Sequence, residues 1–203
     1  DVGHTVAGVW RPGITTYNDI RTGLQTSDSD RHEALQDLRF LLERLDDLFR
    51  NIDPNSGQAS FSYKTRELLI LASTEVENAW AYYMNQANVQ PQNGNTFTTN
   101  DYCRLQMPLH LADYVITLKA FPGLSPFRPF FGWNARQPSQ SLPWYAAYNQ
   151  TKHNRKLHFD KATLGFCILA VAANVAMFSV RFSPFPLFNE GVTASTLFNQ
   201  LFN

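Results

Sequence analysis

Residues 144–159 read WYAAYNQTKHNRKLHF, and they gather His153, His158, Lys152, Arg155 and Lys156 with three amides just before the most apolar run of the chain. An imidazole exchanges a proton near neutral pH. A positioned cation offsets the charge that builds up on a phosphate in a transition state. The combination suits phosphate binding or phosphate chemistry: Asn149 holds an orientation, His153 carries the proton, and Lys152 or Arg155 offsets charge. Between 152 and 161, Lys152, Arg155, Lys156 and Lys161 stand against Asp160 alone, a local excess of three positive charges. The whole chain has 17 Lys plus Arg and 17 Asp plus Glu, so no global field draws in nucleic acid or an anionic membrane, and any attraction must be local. Two plainer readings stay open. The cations would complement the negative end of a helix dipole, or they would form a polar contact surface for a protein partner. His153 and His158 are five apart and have no companion Cys or His pattern, so neither metal nor cofactor is expected.

The elements that must position these residues are read from periodicity. Leu35, Leu38, Leu42, Leu45, Phe49 and Ile52 recur at spacings of three and four and predict an amphipathic helix. Asp30 with Glu33 resembles its capping box, and Asp53-Pro54 followed by Asn55-Ser56-Gly57 supplies its stop. A second helix is predicted from about Thr65 to Gln86, with Leu69, Ala72, Val76, Ala79 and Tyr83 inward and Trp80 widening the stripe. A third is predicted from Asn100 or Asp101 to about Ala120, kinked or shortened by Pro108. Pro143 suits the first turn of a fourth, running to 156, on which Tyr145, Asn149, Lys152, His153 and Lys156 share one flank, while Tyr148, Lys152 and Arg155 share the adjoining one. Asp160 offers an N-cap or a first-turn charge for a fifth, apolar helix ending near Arg181. Residues 122–143 carry five prolines with Phe127, Phe130, Phe131 and Trp133. This loop is expected to press onto the bundle or onto a partner, because such surface is costly in water.

The fold expected is therefore all-α, a four- to five-helix bundle. Its parts are an irregular N-terminal arm over 1–28, the bundle over 29–182, and a C-terminal tail over 183–203 that packs back and ends in one short helix. Cys103 and Cys167 read as small buried hydrophobes in a reducing compartment. Asn174 reads as a buried amide bonded across helices, Trp80 and Trp144 as core, and His110 as core or boundary. No signal peptide is visible in DVGHTVAGVW. Thr163 to Val180 barely reaches the length of a spanning helix, so a core helix is expected, with no membrane and a cytoplasmic location.

An asparagine and a histidine spaced N-x-x-x-H on a late helix of a bundle resemble the HEPN superfamily, whose members include RNA-cutting toxins and antiviral proteins of prokaryotes. The match here is Asn149-Gln150-Thr151-Lys152-His153 within YNQTKHNR, with the outline of the bundle covering about 30 to 182. The resemblance implies metal-independent RNA cleavage in which the ribose 2′-hydroxyl attacks the adjacent phosphorus and leaves a cyclic phosphate. His153 takes the histidine place of the family's R-x4-6-H motif, while Tyr148 stands in the arginine place. Arg155 or Lys152 would then substitute from one turn along, or the domain would bind without cutting. Glu75 is the candidate for the supporting acid, with Glu77 second, and Tyr148, Lys156 and His158 are the expected substrate contacts. A homodimer that brings two motifs into one groove is also implied. The functions that compete are an HEPN-like ribonuclease of a toxin or phage-defence system and a non-catalytic helical module. The module would bind RNA, a nucleotide or a protein partner through the same flank or the Phe-rich loop. A small-ligand pocket under Phe130, Phe131 and Trp133 is a third reading.

Overall fold

The computed structural model describes residues 9–11, 27–188 and 193–202, so most of the arm expected over 1–28 lies outside the described residues. Eight α-helices follow in order: α1 Asp28–Phe49, α2 Tyr63–Gln86, α3 Thr99–Tyr102, α4 Pro143–His153, α5 Arg155–His158, α6 Leu164–Phe182, α7 Phe185–Phe188 and α8 Thr193–Leu201. Among the described residues there is no strand, only two isolated antiparallel bridges, Phe61 with Thr163 and Ile116 with Phe127. The protein is all-α.

α1 starts earlier than its charge pattern predicts. The cap is Ser27, whose hydroxyl accepts from the backbone N–H of Ser29 at 3.2 Å and of Asp30 at 3.4 Å. Asp30 is thereby released to pair with Arg181 of α6 at 2.7 Å. α2 is capped by Ser62, which exchanges hydrogen bonds with Thr65 in a capping box.

Long-range bonds fix how the helices run. Arg44–Glu67 and Lys64–Asp47, each 2.7 Å, tie the end of α1 to the start of α2, so these two are antiparallel. Cys167 donates its thiol to the Thr65 carbonyl at 3.0 Å, and Asn174 donates its amide to the Ala72 carbonyl at 2.8 Å. Both pairs are 102 residues apart in sequence, so α2 and α6 run parallel in constant register. Fifteen of the nineteen α6 residues are buried, and the alanines at 170, 172, 173 and 176 let neighbouring backbones come close. α6 is long and apolar enough to cross a membrane, and 72% of its apolar window is buried inside the protein. Its first N–H groups are satisfied by the turn before α2: Leu164 donates to the Ser60 carbonyl at 2.8 Å and Gly165 to the Gln58 carbonyl at 2.9 Å. A Cβ at residue 165 would lie 3.3 Å from that Gln58 oxygen, which explains the glycine. α1 and α4 flank the α2–α6 pair. In the tail, Leu187, Ala194, Phe198, Leu201 and Phe202 are buried, and α8 packs on α1. Two tail helices are present instead of the single one predicted.

The third predicted helix is corrected. α3 is a single turn, followed by 3-10 turns at Cys103–Leu105 and Leu111–Asp113. Pro108 has no N–H to donate, and His110 sits in the left-handed region at φ 51°, so the helical ladder cannot continue. Cys103 is consequently half-exposed on a turn, whereas Cys167 is fully buried as expected. Asn174 bridges α6 and α2 as expected.

The 122–143 connection is pressed onto the bundle. Phe130 and Trp133 are buried, and Trp133 stacks on Trp80 with centroids 4.7 Å apart and rings 23° from parallel. Tyr102, Tyr145, Phe130 and Trp144 surround Trp80 at 5.4 to 6.4 Å. The indole N–H groups of Trp133 and Trp144 donate to the carbonyls of Pro138 and Pro129, both at 2.8 Å, so two loop backbone acceptors are satisfied by the rings that bury them. Phe131 stays exposed, with the Arg128 guanidinium 4.5 Å above its ring. Truncating Trp80 removes the centre of this cluster. Trp80→Ala should cost about 3–5 kcal/mol and lower Tm by roughly 6–20 °C. A melting curve within about 2 °C of the parent protein would show that the cluster is not a stability centre.

The buried carboxylate of Asp101 organises the start of the crossover, the connection over 87–142 that links α2 to α4. It accepts from Thr98 N at 2.9 Å, Thr98 Oγ1 at 3.0 Å and Gln92 N at 2.9 Å. Burial works to raise this carboxyl, and the three donors with nearby Arg104 outweigh it, so it lies below the usual carboxylate range. Since the unfolded value is about 3.9, the stability Asp101 contributes is present above that pH and lost as pH falls through the lower folded value. Asp101→Asn should therefore flatten part of the fall in Tm below about pH 5. Parallel Tm-versus-pH curves for the two proteins would refute this.

Candidate functional site

α4 opens with Pro143 at its first position and buries Trp144, Tyr145, Ala147, Tyr148 and Thr151. It ends at His153, not at 156. The Thr151 hydroxyl turns back onto the Ala147 and Tyr148 carbonyls at 2.9 and 3.1 Å. Arg66 of α2 donates to the Thr151 carbonyl at 3.0 Å, and Asn154 leaves the helical region at φ −140°. Asn154 then caps α5, its side-chain oxygen accepting from Leu157 N at 3.4 Å. This break corrects the expected continuous flank: Asn149, Lys152 and His153 share a side of α4, while Arg155, Lys156 and His158 belong to a separate short turn. Asp160 is also not the cap of α6. Thr163 has that place, accepting from Phe166 N at 3.4 Å, and Asp160 pairs with Lys161 at 3.3 Å.

Tyr148, at the expected arginine position, is fully buried. Its hydroxyl donates to one oxygen of Glu77 at 3.1 Å and accepts from the Lys152 ammonium at 2.7 Å. The Tyr145 hydroxyl donates to the other Glu77 oxygen. One carboxylate from α2 thus joins two phenols of α4, and a lysine one turn on closes the chain at the surface. Burial first, and then the hydrogen bond to Glu77, push the Tyr145 phenol far above its usual value, so it stays neutral. Lys152 is raised above the usual ammonium range by its bond to Tyr148 and by Glu77, against a smaller opposing effect of partial burial, so it is a full cation at neutral pH.

Glu75 lies elsewhere. Two positions along a helix are about 200° apart, and Glu75 lines a groove of about 200 Å³ with Asp37, Tyr82 and Arg181, between α1, α2 and α6. Its carboxylate accepts from Asn78 at 3.2 Å. The structure does not bring Glu75 together with His153. Glu77 is the acid that reaches α4, and the signal for it was its place one turn before Trp80, on the side of α2 that the crossover and α4 cover.

The rest of the candidate set forms a cationic end. Asn149 is half-buried, and Lys152, His153, Arg155 and Lys156 are exposed, with His158 half-exposed beside them. Among the described residues, no carboxylate lies within ion-pair distance of Lys152, Arg155 or Lys156. Among those residues, too, no group of three or more His, Cys, Asp or Glu side chains is placed to hold a metal ion. An aromatic group borders the cations: Phe159 packs against Tyr63 at 4.8 Å and against Phe61 at 5.7 Å. No spacing rule could have found it, because the rings come from two stretches almost a hundred residues apart.

The chain matches no family model, no curated protein and no solved structure.

The two acids differ in what they hold. Glu77→Ala leaves two phenols of a partly buried site without their acceptor, a loss of about 1–3 kcal/mol and roughly 2–12 °C in Tm. Glu75→Ala removes a single surface bond and should stay within about 0.5 kcal/mol of the parent. Equal shifts in thermal denaturation would remove the distinction drawn between them.

Proposed function

We propose that this chain is an HEPN-like helical domain that binds RNA through the cationic end built by α4 and α5. The observation that carries the reading is the set of exposed cations at Lys152, Arg155 and Lys156, unpaired by acid among the described residues and clustered in a protein of zero net charge. Such a cluster gains affinity by releasing counterions from phosphate. Binding is favoured over cutting because the arginine position is a buried phenol, already committed to Glu77 and Lys152. Cleavage is the second reading. It draws on Lys152, a full cation on the same side of α4 as Asn149 and exposed His153, with His153 as the proton carrier.

Fluorescence anisotropy with a labelled RNA oligonucleotide tests the first reading. Log affinity should fall linearly with log salt, and replacing Lys152, Arg155 or Lys156 by Ala should reduce the slope by about 0.7 per lost contact on a single strand. Binding that is absent, or indifferent to both salt and these residues, overturns it. Incubating the same RNA in excess EDTA and scoring 2′,3′-cyclic ends tests the second. Ends that vanish with His153→Ala establish cutting, and their absence with the parent protein leaves binding alone.

A further inference from the structure

The cationic end carries a feature that phosphate contacts alone do not use. Tyr63, the first residue of α2, is 71% exposed, Phe61 is 48% exposed and Leu157 of α5 is 70% exposed. Phe159 stands between the two α2-side rings, tilted 48° to Tyr63 and near-perpendicular, at 89°, to Phe61. Neither exposed ring stacks flat on Phe159, and both keep about half or more of their surface open to solvent. The backbone bridge between Phe61 and Thr163 and the bonds from Leu164 and Gly165 to the 58–60 turn anchor this platform to the start of α6. On its other side Tyr63 lines an open groove with Arg66, Ile70 and Phe40. Trp10 and Asp30, near the described start of the chain, contact Val180 and Arg181 at the opposite end of α6.

Water-exposed rings beside unpaired cations match one kind of ligand chemistry. A single strand presents phosphates to Arg155 and Lys156 and unstacked bases to the rings, whereas a duplex keeps its bases stacked inside and presents phosphates only. We infer that the RNA held at this end is single-stranded, with bases stacking on Tyr63 and Phe61 while its backbone follows α5. The inference rests on the RNA-binding reading above and narrows it to one form of RNA.

The test is anisotropy with a labelled unstructured RNA of about twelve nucleotides and with the same sequence in duplex form. The full chain, Tyr63→Ala, Phe61→Ala and Tyr63→Trp are compared, each with a matching melting curve. The parent protein should prefer the single strand. Each Ala variant should weaken single-strand binding about tenfold with an unchanged salt slope, Tyr63→Trp should restore it, and duplex binding should not respond to any of the three. Equal binding of both forms, or ring variants that bind the single strand as the parent does, overturns the inference and leaves the RNA-binding reading standing. A parent protein that binds neither form overturns both. Sedimentation of the same samples adds a separate outcome: ring variants that turn a self-associating parent into a monomer while leaving RNA binding intact assign the rings to contact between copies and overturn the inference.

Discussion

The indole of Trp80 is the contact through which three separate stretches of chain are held in register. α2 carries it, Trp133 of the crossover stacks on it, and Trp144 and Tyr145 of α4 close around it. Aromatic rings of this size bring large apolar area to a contact together with a preferred geometry, so they fix orientation as well as proximity. The orientation of α4 follows. With Trp144 and Tyr145 turned inward, Tyr148 one turn later must also face α2, and Lys152 and His153 emerge at the rim. The cationic end therefore sits two turns along α4 from the aromatic cluster that orients the helix.

The chemistry of position 148 follows from the same burial. A permanent cation placed there would have to leave water with only Glu77 as compensation, and a buried charge is tolerated only when it is fully paired. A phenol avoids that demand: it donates to Glu77 and accepts from Lys152. The positive charge is displaced one turn, to a lysine that keeps its ammonium at the boundary with solvent. Glu77 fixes both phenols from outside α4, and these bonds make the helix a rigid base for the side chains at its end.

The bundle was legible in the sequence where a single period dominated. α1, α2 and α6 are long amphipathic or wholly apolar runs, and spacing finds the centre of each stripe, Leu35, Leu38, Leu42 and Leu45 in α1 and Leu69, Ala72 and Val76 in α2. Leu41, Leu48, Leu68 and Met84 are buried beside it, while Phe49, Ala79 and Tyr83 are only partly so. The crossover was not legible, because Pro108 and a left-handed His110 override a pattern that otherwise reads as helical. The break at Asn154 escaped for a related reason: it depends on Thr151 and on Arg66 reaching across from α2, a contact 85 residues distant in sequence. The choice between Glu75 and Glu77 likewise could not be made from α2 alone, since each lies beside an apolar stripe and only the arrival of α4 distinguishes them. Local periodicity located the helices, and long-range contacts decided which of their polar residues meet.

The constant offset between α2 and α6 has a consequence for how the chain is made. Thr65 and Ala72 must wait for Cys167 and Asn174, each 102 residues further on. At a synthesis rate of about 5–20 residues per second, that delay is roughly 5–20 s. During it the faces of α1 and α2 that α6 will cover lack their partner. The most apolar helix is the last of the four long ones to leave the ribosome, and it inserts between elements already present. Completion of the core is therefore a late and non-local event, of the kind that slows folding and leaves apolar surface open to the wrong partners until it is finished.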